Sequence, residues 1–363
     1  MSIKILHAAD FHLDSAFAGL SGEQAKLRRR ESRQLLERLS NYVNQNDVQI
    51  VLLAGDLFDS ATTYRETVEV LIDALAGMNA RVFIAPGNHD FYSARSPYAA
   101  LRWPENVHIF KTREIERLEL PELGCAVYGA AFTDAAQETS LLSGFSASDD
   151  GLTHLMVLHG DLTAAEARYN PVTRGQIAAS NLDYLALGHT HKFSGVETAG
   201  RTAYAYSGCP EGRGFDELDD KGFLCGAVER GEVDIRFIPF AKRHYRILRV
   251  DVTDQKPEDA LQAAMPETAA LDLCRVIFMG ESDERGVDIK SIQERFAPDF
   301  FHLELRDETR MRQDIWAHAQ EDSLRGLFLR ELRGQYETAD EAGRRRVERA
   351  ARFGLAALDR RDL

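Results

Sequence analysis

The sequence predicts an α/β protein in which two packed β-sheets are flanked by helices, followed by a small α+β domain and a helical C-terminal tail. Three observations lead to this prediction. The chain starts with a β-α-β-α pattern, it continues with closely spaced strands to about residue 240, and strands and helices alternate again afterwards. A βα start followed by a run of strands is typical of two sheets packed face to face with helices outside.

The first 90 residues have the most regular pattern. The apolar run 3–10 predicts a strand, and the following segment to about residue 45 repeats apolar residues at helical intervals. A strand at 48–56, a helix carrying Val68, Leu71 and Leu75, and a strand at 80–90 follow. Further strands are predicted at 108–110, 125–132, 153–161, 184–189, 203–208, 222–229 and 233–240.

The pattern changes near residues 241–245. Strand-like runs at 246–253, 273–280 and 300–307 alternate with helical patterns near 257–265 and 288–296, which predicts a small β-α-β-α-β unit. From about Ala317 the chain becomes helical, and residues 323–363 contain ten arginines against seven acidic residues. We therefore expect one domain at 1–243, a second at 244–316, and a basic helical tail at 317–363.

The composition limits the classes of protein that this chain can represent. Apolar residues make up 44% and charged residues 28%, as in soluble globular proteins. No signal peptide or membrane span is visible, and the four cysteines are scattered without a CxxC pair, so we expect a cytoplasmic protein. The net charge of −14 argues against a broad basic face for DNA, although bound cations would change the local field where acidic ligands cluster.

Five short motifs follow apolar strands. Taken one at a time, each motif has an ordinary interpretation, such as a turn, a helix cap or a buried histidine. Their occurrence together is harder to explain in this way, because loops at one edge of a sheet converge on a common site. The motifs are AADFH (8–12), AGDLFD (54–59), PGNHD (86–90), LHGD (158–161) and GHTH (188–191).

The residue types in these motifs suit a dinuclear metal centre. Carboxylate, imidazole and amide-oxygen ligands together favour a divalent ion such as Mn²⁺, with Fe, Zn or Mg as alternatives. Two such ions about 3.5–4 Å apart can clamp a phosphate diester and stabilise an in-line displacement. The sequence therefore predicts a phosphoesterase with two divalent metal ions.

The motif series resembles that of the calcineurin-like metallophosphoesterases. More narrowly, it is similar to the SbcD-type nuclease subunits of DNA double-strand-break repair complexes, in their bacterial DNA repair exonuclease branch. The narrower resemblance rests on AADFHLDSAF (8–17), on SGCPEGRGFDELDDKGF (207–223), and on the small second domain and helical tail. It implies a four-layer α-β-β-α metallophosphoesterase sandwich.

The resemblance also implies roles for individual residues, carried over by motif position. The first metal would be held by Asp10, His12, Asp56 and His191. The second would be held by Asp56, Asn88, His159 and His189, with Asp56 bridging the two ions.

Three further residues are candidates for catalysis or substrate binding. His89 would face the scissile phosphate and donate a proton to the leaving oxygen or stabilise the transition state. Asp59 is a candidate to orient and charge His89, with a turn or cap carboxylate as an equal alternative. Arg213 is a candidate phosphate contact, but a surface arginine in a tight turn is the favoured alternative.

The leading functional interpretation is a metal-dependent DNA exo- or endonuclease subunit that works with an SMC-like coiled-coil ATPase. The resemblance implies that the tail docks on this partner, and that the chain forms a homodimer. Arg28 and its neighbours in the run 26–39 are candidate DNA contacts, with a solvated helix face as the default. Two alternatives stay open: a phosphodiesterase or phosphatase acting on a small nucleotide or a phosphoprotein, and a non-catalytic regulatory subunit.

Overall fold

The computed structural model describes residues 2–60, 63–162, 168–283, 286–312 and 314–358. These residues form two compact units. The first comprises residues 1–248, 266–275 and 294–304, and the second comprises residues 249–265, 276–293 and 305–363. In chain order the strands and α-helices are β1 (Ile3–Ala8), α1 (Gly22–Gln45), β2 (Ile50–Leu53), α2 (Arg65–Ala76), β3 (Arg81–Ile84), α3 (Pro97–Ala100), β4 (Val107–Ile109), β5 (Glu116–Leu120), β6 (Cys125–Gly129), β7 (Thr153–His159), α4 (Arg174–Ala179), β8 (Tyr184–Gly188), β9 (Glu197–Ala199), β10 (Thr202–Tyr206), β11 (Gly222–Glu229), β12 (Glu232–Pro239), β13 (Tyr245–Asp251), α5 (Pro257–Ala264), β14 (Leu273–Met279), β15 (Glu281–Ser282), α6 (Ile289–Phe296), β16 (His302–Asp307), β17 (Arg310–Met311), α7 (Leu324–Thr338) and α8 (Glu341–Leu358).

The first unit contains two six-stranded sheets. The first sheet has the strand order β12-β11-β1-β2-β3-β4, and β1 to β4 run parallel to one another. The second sheet has the order β5-β6-β7-β8-β10-β9, and β6, β7, β8 and β10 run parallel. The antiparallel strands β5 and β9 lie at its two edges. Parallel strands are buried on both faces, which explains why their sequences are continuous apolar runs.

The core of the first unit lies in three layers. Ile5 and Phe83 of the first sheet pack in one buried cluster with Val157 and Ala186 of the second sheet. A second cluster lies between the other face of the first sheet and helices α1 and α2, and a third covers the outer face of the second sheet beside α4. This arrangement confirms the α-β-β-α sandwich that the sequence predicts.

The second unit has its own small core. The parallel pair β15 and β17 and the hairpin formed by α7 and α8 belong to this unit. Ala319, Leu329 and Ala351 are fully buried between the two helices and the turn before them. The C-terminal helices therefore occur as predicted, but the last five residues of the predicted tail lie outside the described residues. The predicted domain bounds at residues 243 and 316 stay predictions.

None of the helices in the described parts of the chain combines the length and the apolar character that crossing a membrane requires.

Candidate metal centre

The five motifs meet at the carboxyl ends of parallel strands. Three of them follow β1, β2 and β3 of the first sheet, and two follow β7 and β8 of the second sheet. The two sheets are joined directly at this edge, because Nδ1 of His159 lies 2.9 Å from the backbone carbonyl oxygen of Ala54. The structure therefore brings the predicted residues of all five loops together.

The backbone at the motifs adopts conformations that residues other than glycine rarely adopt. Asp10, His12, Asp56 and His189 have φ angles of 56°, 43°, 51° and 113°. Left-handed backbone at residues other than glycine costs free energy and is concentrated at functional sites. The loops are thus shaped for the placement of these four side chains.

His12 and His191 present ring nitrogens to each other. Their Nε2 atoms lie 3.2 Å apart. Nδ1 of His12 lies 3.2 Å from a carboxylate oxygen of Asp59, and Nδ1 of His191 lies 2.7 Å from one of Glu217. Nη2 of Arg213 also lies 2.9 Å from Nδ1 of His191. Since a carboxylate can only accept, the tautomer with its hydrogen on Nδ1 suits both carboxylate contacts, and it leaves a lone pair on each Nε2. Two lone pairs that face each other repel unless a cation lies between them.

His159 and Asn88 form a second pair of the same kind. Nδ1 of His159 donates to the carbonyl oxygen of Ala54, so Nε2 carries the lone pair. This Nε2 lies 2.9 Å from the amide oxygen Oδ1 of Asn88, which is also an acceptor. The two atoms therefore form a second pair of electron donors that a cation would satisfy.

Asp56 lies between the two pairs. Its Oδ2 is 3.7 Å from Nε2 of His12 and 3.5 Å from Nε2 of His159. Its Oδ1 accepts the backbone N–H of His89 at 2.9 Å. Gly87 is required beside it, since a Cβ at that position would lie 2.3 Å from Oδ1 of Asp56. The location of Asp56 is the one expected for a bridging ligand.

Asp10 and His189 complete the group. Both carboxylate oxygens of Asp10 accept the backbone N–H of His189, at 3.0 and 3.1 Å. Burial, followed by the negative charge of Asp56, raises the pKa of Asp10 well above its usual value. A bound cation would remove this penalty by neutralising the two carboxylates. The ring of His189 lies against that of His159, with centroids 5.3 Å apart.

The protonation states of the histidines suit metal binding. Burial lowers the pKa of His12, His159 and His189 to about 4. These imidazoles are therefore neutral near pH 7 and available as ligands. Three sets of residues each offer donor atoms that lie within 4.8 Å of one another inside the set. The sets are Asp10, His12 and His191; His12, Asp56 and His89; and Asp10, Asp56 and His159. The donor set fits divalent cations.

The contact between Asp59 and His89 differs from the expected one. The carboxylate of Asp59 points to His12, whereas Nδ1 of His89 donates to the backbone carbonyl oxygen of Asp59 at 3.0 Å. Burial by itself would raise the pKa of Asp59, but its hydrogen bonds with His12 and Ser15 and the charge of Arg213 outweigh burial and lower this pKa. Asp59 thus orients His12 with its side chain and His89 with its main chain.

Two arginines have partners that the sequence does not reveal. Arg213 contacts Asp59 and Glu217, so its charge is neutralised by carboxylates and it is not a free surface arginine. Arg28 is fully buried and pairs with Glu31 and Glu211. The expectation of a DNA contact or a solvated helix face was therefore wrong for Arg28, because the chain near Glu211 covers it.

Sequence reasoning also missed residues that hold the loops in place. The buried carboxylate of Asp90 accepts backbone N–H groups of Asp56, Leu57 and Gly87. The ammonium group of Lys221 donates to the carbonyl oxygen of His191 at 2.9 Å. Asp90 ends the PGNHD motif, and this position next to the candidate ligands was a signal for it. No local pattern indicates the role of Lys221 or Glu217.

Comparison with known proteins assigns the chain that builds this site to a family. The sequence profile of the calcineurin-like phosphoesterases matches residues 3–193, which include all five motifs. The chain belongs to this family. Members of the family are phosphoesterases, so the chain is a hydrolase with a metal centre.

Individual relatives share 30% or less of their aligned residues with this chain. The chain is 30% identical over 277 residues to the uncharacterized metallophosphoesterase YhaO of Bacillus subtilis, covering 73% of this chain and 67% of YhaO. It is 25% identical over 256 residues to the SbcD subunit of the SbcCD nuclease from the same species, covering 59% and 63% of the two chains. It is 23% identical over 256 residues to the DNA double-strand break repair protein Mre11 of Methanopyrus kandleri, covering 63% and 55%.

Proposed function

We propose that this metallophosphoesterase is a DNA nuclease that hydrolyses phosphodiester bonds with two divalent metal ions, Mn²⁺ first among the candidates. The observation that carries the proposal is the pair of facing donor groups on the two sides of Asp56, His12 with His191 and His159 with Asn88. DNA as the substrate is supported by similarity to proteins named as a nuclease subunit and as a DNA break repair protein.

The side chains divide into metal ligands and one group for the substrate. Asp10, His12, Asp56 and His191 would hold the first ion, and Asp56, Asn88, His159 and His189 the second. When bound, two cations there would neutralise charge on the phosphate and activate a water. His89 is exposed, and its Nδ1 donates to the Asp59 carbonyl, so Nε2 is the nitrogen that remains for the substrate. In the imidazolium form Nε2 would carry the second ring hydrogen and would donate it to the leaving oxygen.

The C-terminal hairpin is the proposed docking site for an SMC-like coiled-coil ATPase. Phe328 of α7 lies against Gly354 of α8, so the start of α7 lies beside the end of α8. Leu324 and Phe353 at this end are 70% and 50% exposed. An exposed apolar helix face is a common docking surface for a partner helix, and similarity to a protein named as a subunit supports an assembly.

The direct test is hydrolysis of single-stranded and duplex DNA by the full chain, with Mn²⁺ and with a chelator. We expect cleavage that requires the metal and disappears on chelation. If the protein carries two metal ions and leaves both DNA substrates intact, DNA is not its substrate. If it carries no metal under any loading condition, the alternative of a non-catalytic regulatory subunit is favoured.

A second candidate is the same hydrolysis on a small nucleotide or a phosphoprotein. The net charge of −14 favours it, and so does the pairing of Arg28 and Arg213 with carboxylates, which leaves less positive charge for a long phosphate backbone. Comparing the turnover of an aryl phosphodiester, a cyclic nucleotide and DNA separates the two candidates. A preference for the cyclic nucleotide over DNA would support the second.

A further inference from the structure

The guanidinium group of Arg213 joins the two carboxylates that contact the histidines of the first metal position. Nη1 of Arg213 lies 3.3 Å from Oδ1 of Asp59, and Nη2 lies 2.9 Å from Oε1 of Glu217. The same Asp59 oxygen lies 3.2 Å from Nδ1 of His12. The same Glu217 oxygen lies 2.7 Å from Nδ1 of His191, and Nη2 of Arg213 itself lies 2.9 Å from that nitrogen. Arg213 therefore connects the two histidines whose Nε2 atoms face each other.

The connection is built into the fold. The second carboxylate oxygen of Glu217 accepts the backbone N–H of Arg213 at 2.7 Å, and Glu217 is 6% exposed. The hydroxyl of Tyr245 donates to the backbone carbonyl of Arg213 at 3.0 Å. Ser15 donates to Oδ1 of Asp59 at 3.1 Å. An exposed ion pair would lack these additional bonds and would contribute little.

We propose that Arg213, Asp59 and Glu217 form a positioning clamp that holds His12 and His191 as one unit and thereby sets the affinity of the first metal position alone. Groups that hold the far nitrogen of a metal-binding histidine fix its orientation and raise its basicity. The inference rests on the proposed function, because it takes the two-cation centre from there.

The second metal position has a separate support. Its histidine, His159, is held by the carbonyl oxygen of Ala54, a main-chain group of the β2 loop. The backbone carbonyl of His159 accepts the side-chain amide of the fully buried Asn170 at 2.7 Å. Removal of the clamp is therefore expected to weaken one of the two positions and to spare the other. In this account Arg213 acts through the histidines and does not contact phosphate.

Stepwise Mn²⁺ titration of the metal-free full chain tests the clamp. His191→Asn and Asn88→Ala serve as references that identify the first and the second binding step. We expect Arg213→Met and Glu217→Gln to weaken the same step as His191→Asn by roughly 10- to 100-fold and to leave the other within about twofold. Arg201→Met is the matched control, since Arg201 also pairs with a buried carboxylate, that of Asp183, and it should bind both ions as the wild type does.

A spectroscopic measurement gives a second, independent result. At two equivalents of Mn²⁺ we expect the wild type to show the electron paramagnetic resonance signal of a coupled Mn²⁺ pair, and Arg213→Met to show isolated Mn²⁺. Arg213→Lys, which keeps the charge but loses the planar fork, should be intermediate. Circular dichroism checks that each variant is folded. If Arg213→Met does not fold, the test is made with Glu217→Gln.

The outcomes separate the clamp from the proposed function. The clamp would be overturned if both binding steps were unchanged in Arg213→Met and Glu217→Gln. It would also be overturned if these variants lost the step that Asn88→Ala removes, or if both steps were weakened equally. Retention of both ions with loss of DNA cleavage would show that Arg213 contacts substrate. Selective loss of the first step in a protein that cleaves no DNA would support the clamp and reject the substrate. A wild type that binds fewer than two ions would overturn both.

Discussion

Nδ1 of His89 lies 3.0 Å from the backbone carbonyl oxygen of Asp59. A carbonyl oxygen accepts but cannot donate, so the hydrogen is on Nδ1 and Nε2 is free to exchange a proton with substrate. A main-chain partner holds the ring in this orientation whatever the side chain of residue 59 is. The structure thus separates the orientation of His89 from the carboxylate of Asp59.

The first prediction concerns His89 itself. His89→Gln should lower the turnover of a phosphodiester by roughly 10²- to 10⁴-fold, the usual contribution of a positioned proton donor. Metal content should stay at the wild-type value, because the ligands on both sides of Asp56 are unchanged. Steady-state hydrolysis and elemental analysis of the same samples check this prediction. His108→Gln, on the edge strand β4, is the control; equal losses in both variants, or undiminished turnover in His89→Gln, would refute the role.

The second prediction concerns the charge of the bridging residue. The negative charge of Asp56 raises the pKa of both Asp10 and Asp90, after the larger effect of burial. Removing this charge in Asp56→Asn should stabilise the metal-free protein by about 1–2 kcal/mol, in the range of other stabilising changes at strained sites. The same variant should lose most of the stabilisation that Mn²⁺ gives the wild type.

Thermal unfolding with a chelator and with Mn²⁺ measures both effects of Asp56→Asn. The prediction fails if the metal-free variant is less stable than the metal-free wild type, or if added Mn²⁺ stabilises the two proteins equally.

The third prediction concerns the glycine before the two histidines of the last motif. A Cβ at Gly188 would lie 1.8 Å from the backbone carbonyl oxygen of Ala54, at the edge where the two sheets meet. Gly188→Ala must push the strands apart and should cost about 1–3 kcal/mol of unfolding free energy. It should also weaken metal binding, because His189 and His191 move with the strand. Gly19→Ala, where no atom lies within 4 Å of the added carbon, should change neither quantity. Wild-type stability in Gly188→Ala would contradict the described approach of the two sheets.

The fourth prediction concerns the buried ion pairs of helix α1. Burial by itself would raise the pKa of Glu31, but hydrogen bonds from Arg243, Lys242 and Arg28 outweigh it and lower the pKa to about 2. A carboxyl with a depressed pKa stabilises the fold above its unfolded pKa of 4.5, and this contribution is lost as the pH falls toward 2. The shift corresponds to about 3 kcal/mol.

Denaturant unfolding of Glu31→Gln and the wild type across pH 2–7 measures this contribution. The difference between them should be constant above about pH 5 and should shrink steadily below pH 4.5. Glu37→Gln, an exposed residue on the same helix, is the control and should follow the wild type. A difference that grows as the pH falls would mean that the sign of the shift is wrong.

The strands and loops that build the metal centre could be predicted because they depend on local sequence. A buried parallel strand is a continuous apolar run, and the polar residue that follows it must lie at the sheet edge. The edge strand β5 was missed for the opposite reason: it carries charged residues and is mostly exposed, so it has no apolar run. Strands of this kind are defined by their partner and not by their own composition.

The residues that hold the ligands could not be predicted, because their partners are distant in sequence. Arg28 lies on a helix rich in charge, and only the chain 183 residues later supplies the carboxylate that buries it. Glu217 lies 26 residues from His191 and Asp59 lies 154 residues from Arg213. No spacing rule links such pairs, and only the packing of the two sheets and the segment at 209–217 brings them together.

The most direct test of the account is a crystal of the full chain soaked in Mn²⁺ and measured at the manganese absorption edge. We expect two anomalous peaks on opposite sides of the Asp56 carboxylate, one beside His12 and His191 and the other beside His159 and Asn88. A single peak, or peaks elsewhere while these side chains keep their present positions, would contradict it.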